Sequence, residues 1–127
     1  MANKTYQPIL IQTVEAQEDL TEKTFIGFDG NTCEAGAKAF GIADVSTESG
    51  QLAPVGVLGT FLVISGGAIT QGSAVTSDAS GKAVVATAPS ITTEASATTL
   101  TAGDEINGYA LDAATAAGEE IRVLRGI

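Results

Sequence analysis

The 127-residue chain contains no histidine and no tryptophan, one cysteine and one methionine. Three prolines, two tyrosines and four phenylalanines complete its short supply of special side chains. Without histidine there is no ordinary general base near neutral pH and no imidazole metal ligand, which removes Ser-His-Asp, Cys-His and histidine-based zinc chemistry. A lone Cys33 has no second thiol in the chain for a disulfide, which fits a reducing compartment. It has no histidine or cationic helix context to activate it, so it reads as a small packing residue. Basic residues are also few. Lys4, Lys23, Lys38, Lys82, Arg122 and Arg125 stand scattered against 15 acids, for a net charge of -9. Phosphate binding needs clustered cations, so nucleic acid and anionic membrane surfaces are excluded as partners. No apolar run approaches the ~18 residues of a spanning helix, and Met1 to Leu20 lacks a basic start followed by an apolar segment. The expectation is synthesis in a cytoplasm without a membrane stage.

What the chain does contain is small. Ala (21), Gly (15), Thr (16) and Ser (8) make up nearly half of it, and the core-forming material is mainly 27 Val, Ile and Leu residues. One domain is expected, burying roughly two thirds of its unfolded surface around a modest core.

Gln7 to Val14 follows Tyr6 with Pro8 and an apolar, partly β-branched run, which predicts an extended segment. It reads equally as an arm that completes a sheet on another chain, with Tyr6, Ile9 and Ile11 as side-chain anchors, or as an edge strand of its own sheet. Fully stretched, the first fourteen residues would reach on the order of 45 Å. Glu15 to Glu22 is acidic, with only Ala16 and Leu20 well placed to pack, and reads as a solvated loop. Thr24 to Phe28 and Ala39 to Val45 read as short strands, with a tight turn at Asp29-Gly30. Pro54 to Ile64 is too glycine-rich for a helix and too apolar for a surface strand, so it belongs mid-sheet, with Gly56 and Gly59 allowing bends or close backbone approach. From there through Gly66-Gly67, Ala68 to Thr76, Asp78 to Gly81 and Lys82 to Ala86 the chain reads as a β-meander. Residues 87–103 are small and polar and predict an exposed loop or a thin hairpin. Ile106 to Asp112 and Glu119 to Arg125 read as two closing strands, the second half-buried through Ile121 and Val123. The alanine-rich stretch between them is too short for more than one helical turn.

The chemical motifs are weak. Asp104-Glu105 and Glu119-Glu120 are adjacent acids, but neighbours along a strand point to opposite faces, so neither pair presents two carboxylates to one substrate. Ser80-Gly81-Lys82 lacks the earlier glycine and the following Ser or Thr of a phosphate loop: Thr76 and Ala83 occupy those places. Asp29-Gly30-Asn31 and Asp78 to Gly81 lack the spaced acids of a calcium loop. No catalytic, cofactor-binding or metal-binding residue is expected, and no cofactor. The function expected is that of an interaction protein.

The order of the segments is similar to that of the small capsid cement, or head decoration, proteins of tailed bacteriophages. The likeness runs over nearly the whole chain. It is carried by the amino-terminal arm, Phe25-Ile26-Gly27-Phe28-Asp29-Gly30, Ala39-Phe40-Gly41-Ile42-Ala43, Val57 to Ile64 with Gly66-Gly67, Gly72-Ser73-Ala74-Val75, Asp78 to Gly81, and the ending Gly108-Tyr109-Ala110-Leu111-Asp112 with Gly118 to Val123. The resemblance implies an all-β fold: a small single-domain β-barrel or β-clip (β-tulip-like) body with an extended N-terminal arm and little helix. Residues 1–20 would form the arm and acidic linker, and residues 21–127 the compact β domain with its exposed loop at 87–103. It also implies a place on the outside of the virion after synthesis in a bacterial host. The partners would be the major capsid protein in its expanded lattice and the chain itself, as a homotrimer or, at two-fold positions, a dimer. Tyr6, Pro8, Ile9, Leu10, Ile11 and Val14 are then the capsid-binding arm, and removing Ala2 to Ile11 is expected to weaken capsid binding while the body stays folded. Two other readings remain: another β-rich virion part such as a fibre, baseplate or adhesin-type module, and a carboxylate hydrolase.

Overall fold

The computed structural model describes residues 5–94 and 97–126. Residues 1–4 of the expected arm lie outside the described residues. Among the described residues there is no helix, and ten strands build an all-β barrel-like domain with one small separate hairpin.

The organising element is β4, Leu52–Ile64, thirteen residues long and alternately buried over most of its length. Its length lets three strands pair with it, all antiparallel. β1 (Gln7–Glu15) takes one edge, from Leu52 to Thr60. β3 (Gly41–Ala43) pairs at Val55 and Gly56, and β10 (Glu120–Arg125) pairs from Gly59 to Ile64. Val55 and Gly56 each carry β1 as well as β3, and Gly59 and Thr60 carry β1 as well as β10. A strand has two edges, so β3 and β10 lie end to end along the edge of β4 opposite β1.

The sheet continues as β2 (Phe25–Ile26) beside β3 on one side, and on the other as β9 (Gly108–Ala110), β5 (Ala74–Ser77) and β6 (Ala83–Val85). Its two ends then meet. Phe25 N donates to Gly81 O at 2.7 Å, Ile64 N to Lys23 O at 3.0 Å, and Gly66 N to Ala83 O at 2.7 Å. The meander expected from Pro54 to Ala86 is corrected here. β5 and β6 form the expected hairpin, around Asp78 Oδ1, which accepts from Ser80 N and Lys82 N. β10 and β9 from the end of the chain separate β4 from β5. A local pattern of alternation and turns does not encode which distant strand fills a gap in a sheet.

One irregularity in β4 organises the core. Opposite β1 the register slips, so that Leu10 faces Leu58 while Ile11 faces Gly56, leaving Val57 as an extra residue. An extra residue turns every following side chain to the other face. Accordingly Ala53 and Val55 pack into one cluster, with Ala16, Leu20, Ile26 and Ala43, while Phe61 and Val63 pack into the other. That larger, interior cluster holds Phe25, Cys33, Ile42, Val75, Ile121 and Val123 among others. Adjacent residues Phe25 and Ile26, and likewise Ile42 and Ala43, divide between the two clusters as strand alternation requires. The acidic stretch Glu15 to Glu22 is non-helical, as read, but it is not simply solvated: Ala16 and Leu20 are buried and anchor it across the second cluster.

Arg125 closes the seam between β3 and β10. Its Nε donates to Val57 O (2.9 Å), Nη1 to Asn107 O (3.0 Å), and Nη2 to Ala39 O and Phe40 O (both 3.3 Å). One planar fork thus ties the bulged residue of β4 to the entries of β3 and β9, a task that needs several donors in fixed directions. Burial holds this guanidinium below its ordinary pKa.

Candidate interaction surface

Every residue of β1 is exposed except Val14, which is half-buried. That is unusual for a strand carrying Ile9, Leu10 and Ile11. Of the two alternatives left open by the sequence, β1 is an edge strand: it pairs with β4 on one side and with no strand on the other among the described residues. Its docking depends on Gly59. A Cβ there would stand 2.5 Å from Gln7 O and 2.8 Å from Ile9 N, and the residue has φ 120°. Opposite Gly59 and Leu58, Ile9 is the extra residue of β1, bulged outward and 81% exposed.

The six expected arm residues therefore divide. Tyr6 and Val14 are tied to the barrel: the Tyr6 ring, though 40% exposed, meets Phe61 edge to face with centroids 5.9 Å apart, its hydroxyl donates to Asp44 Oδ1, and Val14 packs against the second cluster. Desolvation first, and the Asp44 carboxylate second, push the Tyr6 phenol up to about 12. Pro8 sits opposite Gly59 at the start of the bulge. Ile9 stands out into solvent, and Leu10 and Ile11 stay partly exposed at 37% and 40%, with Leu58 of β4 adding exposed apolar surface opposite Leu10. Leu58 escaped the sequence reading because a central strand was expected to hide it. Only the pairing of Leu10 with Leu58 brings it to the β1 edge.

The stretch 87–103 takes the hairpin alternative. β7 (Ser90–Glu94) and β8 (Ala97–Thr101) pair only with each other, wholly exposed, with Ile91 opposite Leu100. Its base is fastened by Asp104, whose N donates to Thr87 O while its Oδ2 accepts from Thr87 N, both at 2.8 Å.

Of the adjacent acids singled out by the sequence, Asp104, Glu119 and Glu120 have structural partners. Glu119 Oε2 accepts from Thr115 N, Thr115 Oγ1 and Ala116 N and closes that turn, whereas Glu120 pairs with Lys23 at 2.6 Å. Cys33 is 1% exposed beneath a cleft of about 500 Å³ that Phe28, Asp29, Glu34 and Lys38 help to line, and burial raises its thiol pKa. Among the described residues no cluster of three or more Cys, Asp or Glu is arranged to hold a metal ion.

The described residues thus form a nearly closed barrel with a free, partly apolar edge at β1. Residues 4–125 match the family of phage cement proteins, and the chain belongs to that family. It is a structural component of a bacteriophage virion. Among solved structures, the chain is similar to one described as the crystal structure of head fiber gp8.5 N base in bacteriophage phi29, with a TM-score of 0.63. Identity is 20%, over 92% of this chain and 93% of that one, a likeness that establishes the fold. Comparison with curated proteins gives no match.

Proposed function

We propose that this cement protein decorates the outside of the phage head. It binds the expanded lattice of the major capsid protein through β1 and clamps neighbouring subunits against the outward pressure of packaged DNA, without catalysing a reaction. The observation that carries this reading is the free edge of β1, with Ile9, Leu10 and Ile11 exposed on an otherwise nearly closed barrel. A free edge adds a strand to another chain by main-chain hydrogen bonds, and alternating side chains supply selectivity. Gln7 to Thr13 carries no charge, so the edge can be desolvated at low cost, while the net charge of -9 suits basic patches around the contact.

Preference for the mature head follows if the site is assembled from several capsid subunits that meet on expansion. A ligand stabilises the state it binds by RT ln(1 + [L]/Kd), about 2.7 kcal/mol per site at a hundredfold excess over Kd. Only differential affinity for the two lattices shifts their balance. Copies act as a homotrimer at three-fold positions, or as a dimer at two-fold ones.

A second reading has its own observation. The fold likeness to a head-fibre base favours a base or anchor module of another virion appendage, which would attach to heads without preferring the expanded lattice. Co-sedimentation of the purified chain with undecorated expanded heads and with unexpanded proheads separates the two. Saturable binding to expanded heads alone supports the clamp, equal binding to both supports the anchor, and binding to neither refutes both. Stoichiometry per capsid subunit distinguishes trimer from dimer placement.

A further inference from the structure

Of the three asparagines in the chain, Asn107 alone is followed by glycine. That pairing is the one most open to spontaneous deamidation, because a residue without a side chain leaves its backbone nitrogen unshielded and the chain free to bend towards the preceding amide. In the reaction Gly108 N attacks Asn107 Cγ. A C–N bond forms, the bond to Nδ2 breaks, and that nitrogen leaves as ammonia with the proton that Gly108 N gives up. Water then opens the succinimide ring at either carbonyl, giving aspartate or isoaspartate. Water is the one co-reactant, and no oxidation or reduction takes place.

Packing requires both residues where they stand. A Cβ on Gly108 would lie 2.4 Å from Val123 Cγ1 and 2.9 Å from Leu124 O. The Asn107 amide ties the chain that enters β3 to the start of β9: its Oδ1 accepts from Ala39 N and its Nδ2 donates to Ala37 O, both at 2.9 Å. Its backbone N donates to Val75 O at 2.8 Å, and its O accepts from Arg125 Nη1 at 3.0 Å. The residue is 3% exposed. Ring closure carries Cγ onto Gly108 N and so draws the amide away from Ala37 and Ala39, and hydrolysis needs water at a site that excludes it. The products do not fit either. Aspartate has no N–H for Ala37 O and sets a charge in a buried position, while isoaspartate adds a main-chain carbon beside the pairing of Gly108 with Val75.

We infer that Asn107–Gly108 is a modification site that the native fold keeps closed and that opens only when the chain unfolds, whereupon deamidation makes the unfolding irreversible. Persistence of the protein then depends on how seldom it opens, and not on its equilibrium stability alone. The inference stands on the packing of the barrel and is independent of what β1 binds.

The test incubates the full-length chain at mildly alkaline pH, in native buffer and in urea sufficient to unfold it. Each asparagine is followed by peptide mass spectrometry, and aliquots are returned to native buffer. In urea, Asn107 is expected to react well ahead of Asn3 and Asn31, and the fraction that refolds, read by circular dichroism, should fall in step with it. In native buffer only the unfolded fraction reacts, and folding constants of small domains are ~10³ or more, so the native rate is expected to be at least about 1000-fold lower. Ile26→Val trims the second core cluster and leaves the four Asn107 bonds in place. Its loss of about fivefold in folding constant, read from urea melts, should appear as an equal acceleration at Asn107 in native buffer. Comparable rates in buffer and urea, an unchanged native rate in Ile26→Val, or a deamidated chain that refolds like the unmodified one overturns the inference, as does Asn3 or Asn31 reacting first in urea.

Discussion

Ile9 is the residue at which binding and folding separate most cleanly. It is the extra residue of the β1 bulge, 81% exposed, with no direct partner on β4. Truncating it to alanine removes three carbon groups that contribute little to the isolated fold, so stability should stay within about 0.5 kcal/mol of wild type. If β1 docks on a capsid strand, those carbons leave water. At ~0.8 kcal/mol per buried CH2 and roughly four fifths of the side chain available for burial, Ile9→Ala should lose about 1.9 kcal/mol, or ~25-fold in affinity per site. Val14→Ala is the control with the opposite signature. Val14 packs on the second cluster, so its truncation should cost about 1 kcal/mol of stability and leave capsid affinity within twofold. The assay is a co-sedimentation isotherm with expanded heads, beside thermal melts followed by circular dichroism. Unchanged affinity of Ile9→Ala would refute the β1 contact, however well the protein bound. This point variant is a sharper probe than removing Ala2 to Ile11, because that truncation also takes Tyr6 from the Phe61 ring and strips β4 of half its edge partner.

Further outcomes follow from the same geometry. Gly59→Ala forces a Cβ to within 2.5 Å of Gln7 O at a φ of 120°, so it should destabilise by about 2 kcal/mol and raise protease cleavage within β1; resistant, wild-type-like protein would contradict the close approach. Arg125→Lys keeps the charge but cannot hold four carbonyls at once, and should lower stability by about 1.5–3 kcal/mol in denaturant melts; an unchanged midpoint would show that the seam does not need the fork. Thr76 is 1% exposed and its Oγ1 has no hydrogen-bond partner, so Thr76→Val should stabilise by about 1 kcal/mol, and a lower melting temperature would count against that. For Tyr6 the folded state holds the phenol up to about 12 against an ordinary value of 10.0, which favours the protonated form. The stabilisation is therefore complete below pH 10 and is lost as pH rises towards 12. Tyr6→Phe should flatten that part of the stability curve, and an identical alkaline slope would exclude Tyr6 as its source.

The sequence made the strands more legible than their arrangement. Pro54 to Ile64 was too glycine-rich for a helix and too apolar for a surface strand, and Ile121 and Val123 alternate with Glu120, Arg122 and Leu124 as in a largely half-buried strand. Turn chemistry marked Asp78 to Gly81, where a carboxylate does fold back onto two backbone amides. Strand order was out of reach, because β10 and β9 enter between β4 and β5 through pairings far apart in sequence, such as Arg125 with Gly59. The division of the core was equally hidden. Val55 and Phe61 share an odd-numbered phase, and only the extra residue at Val57 sends them to opposite faces. Arg125 looked like the polar end of a strand, since nothing local announces four carbonyls converging from β4, β3 and β9. Of the expected arm residues, Ile9 is displayed outward by the β1 bulge, while Tyr6 and Val14 are tied to the barrel, a split set by local contacts and not by residue type.

The free edge itself bears on function. Natural β proteins blunt an exposed edge with lysines, prolines, bulges or a covering loop, because an open row of backbone donors and acceptors recruits other chains. Here Pro8 and the Ile9 bulge blunt only the beginning of β1, and Ile11-Gln12-Thr13 continues regular, uncharged and uncovered. Such an edge is an aggregation hazard in a free monomer. Long-range repulsion between chains of charge -9 offsets that hazard in solution without touching the edge, since at physiological salt it acts over a Debye length of about 8 Å and fails only at contact. A partner with basic surface around an acceptor strand meets attraction where a second copy meets repulsion. Net charge and a neutral edge together thus bias β1 towards a chain unlike its own, which is the selectivity a head-binding strand requires.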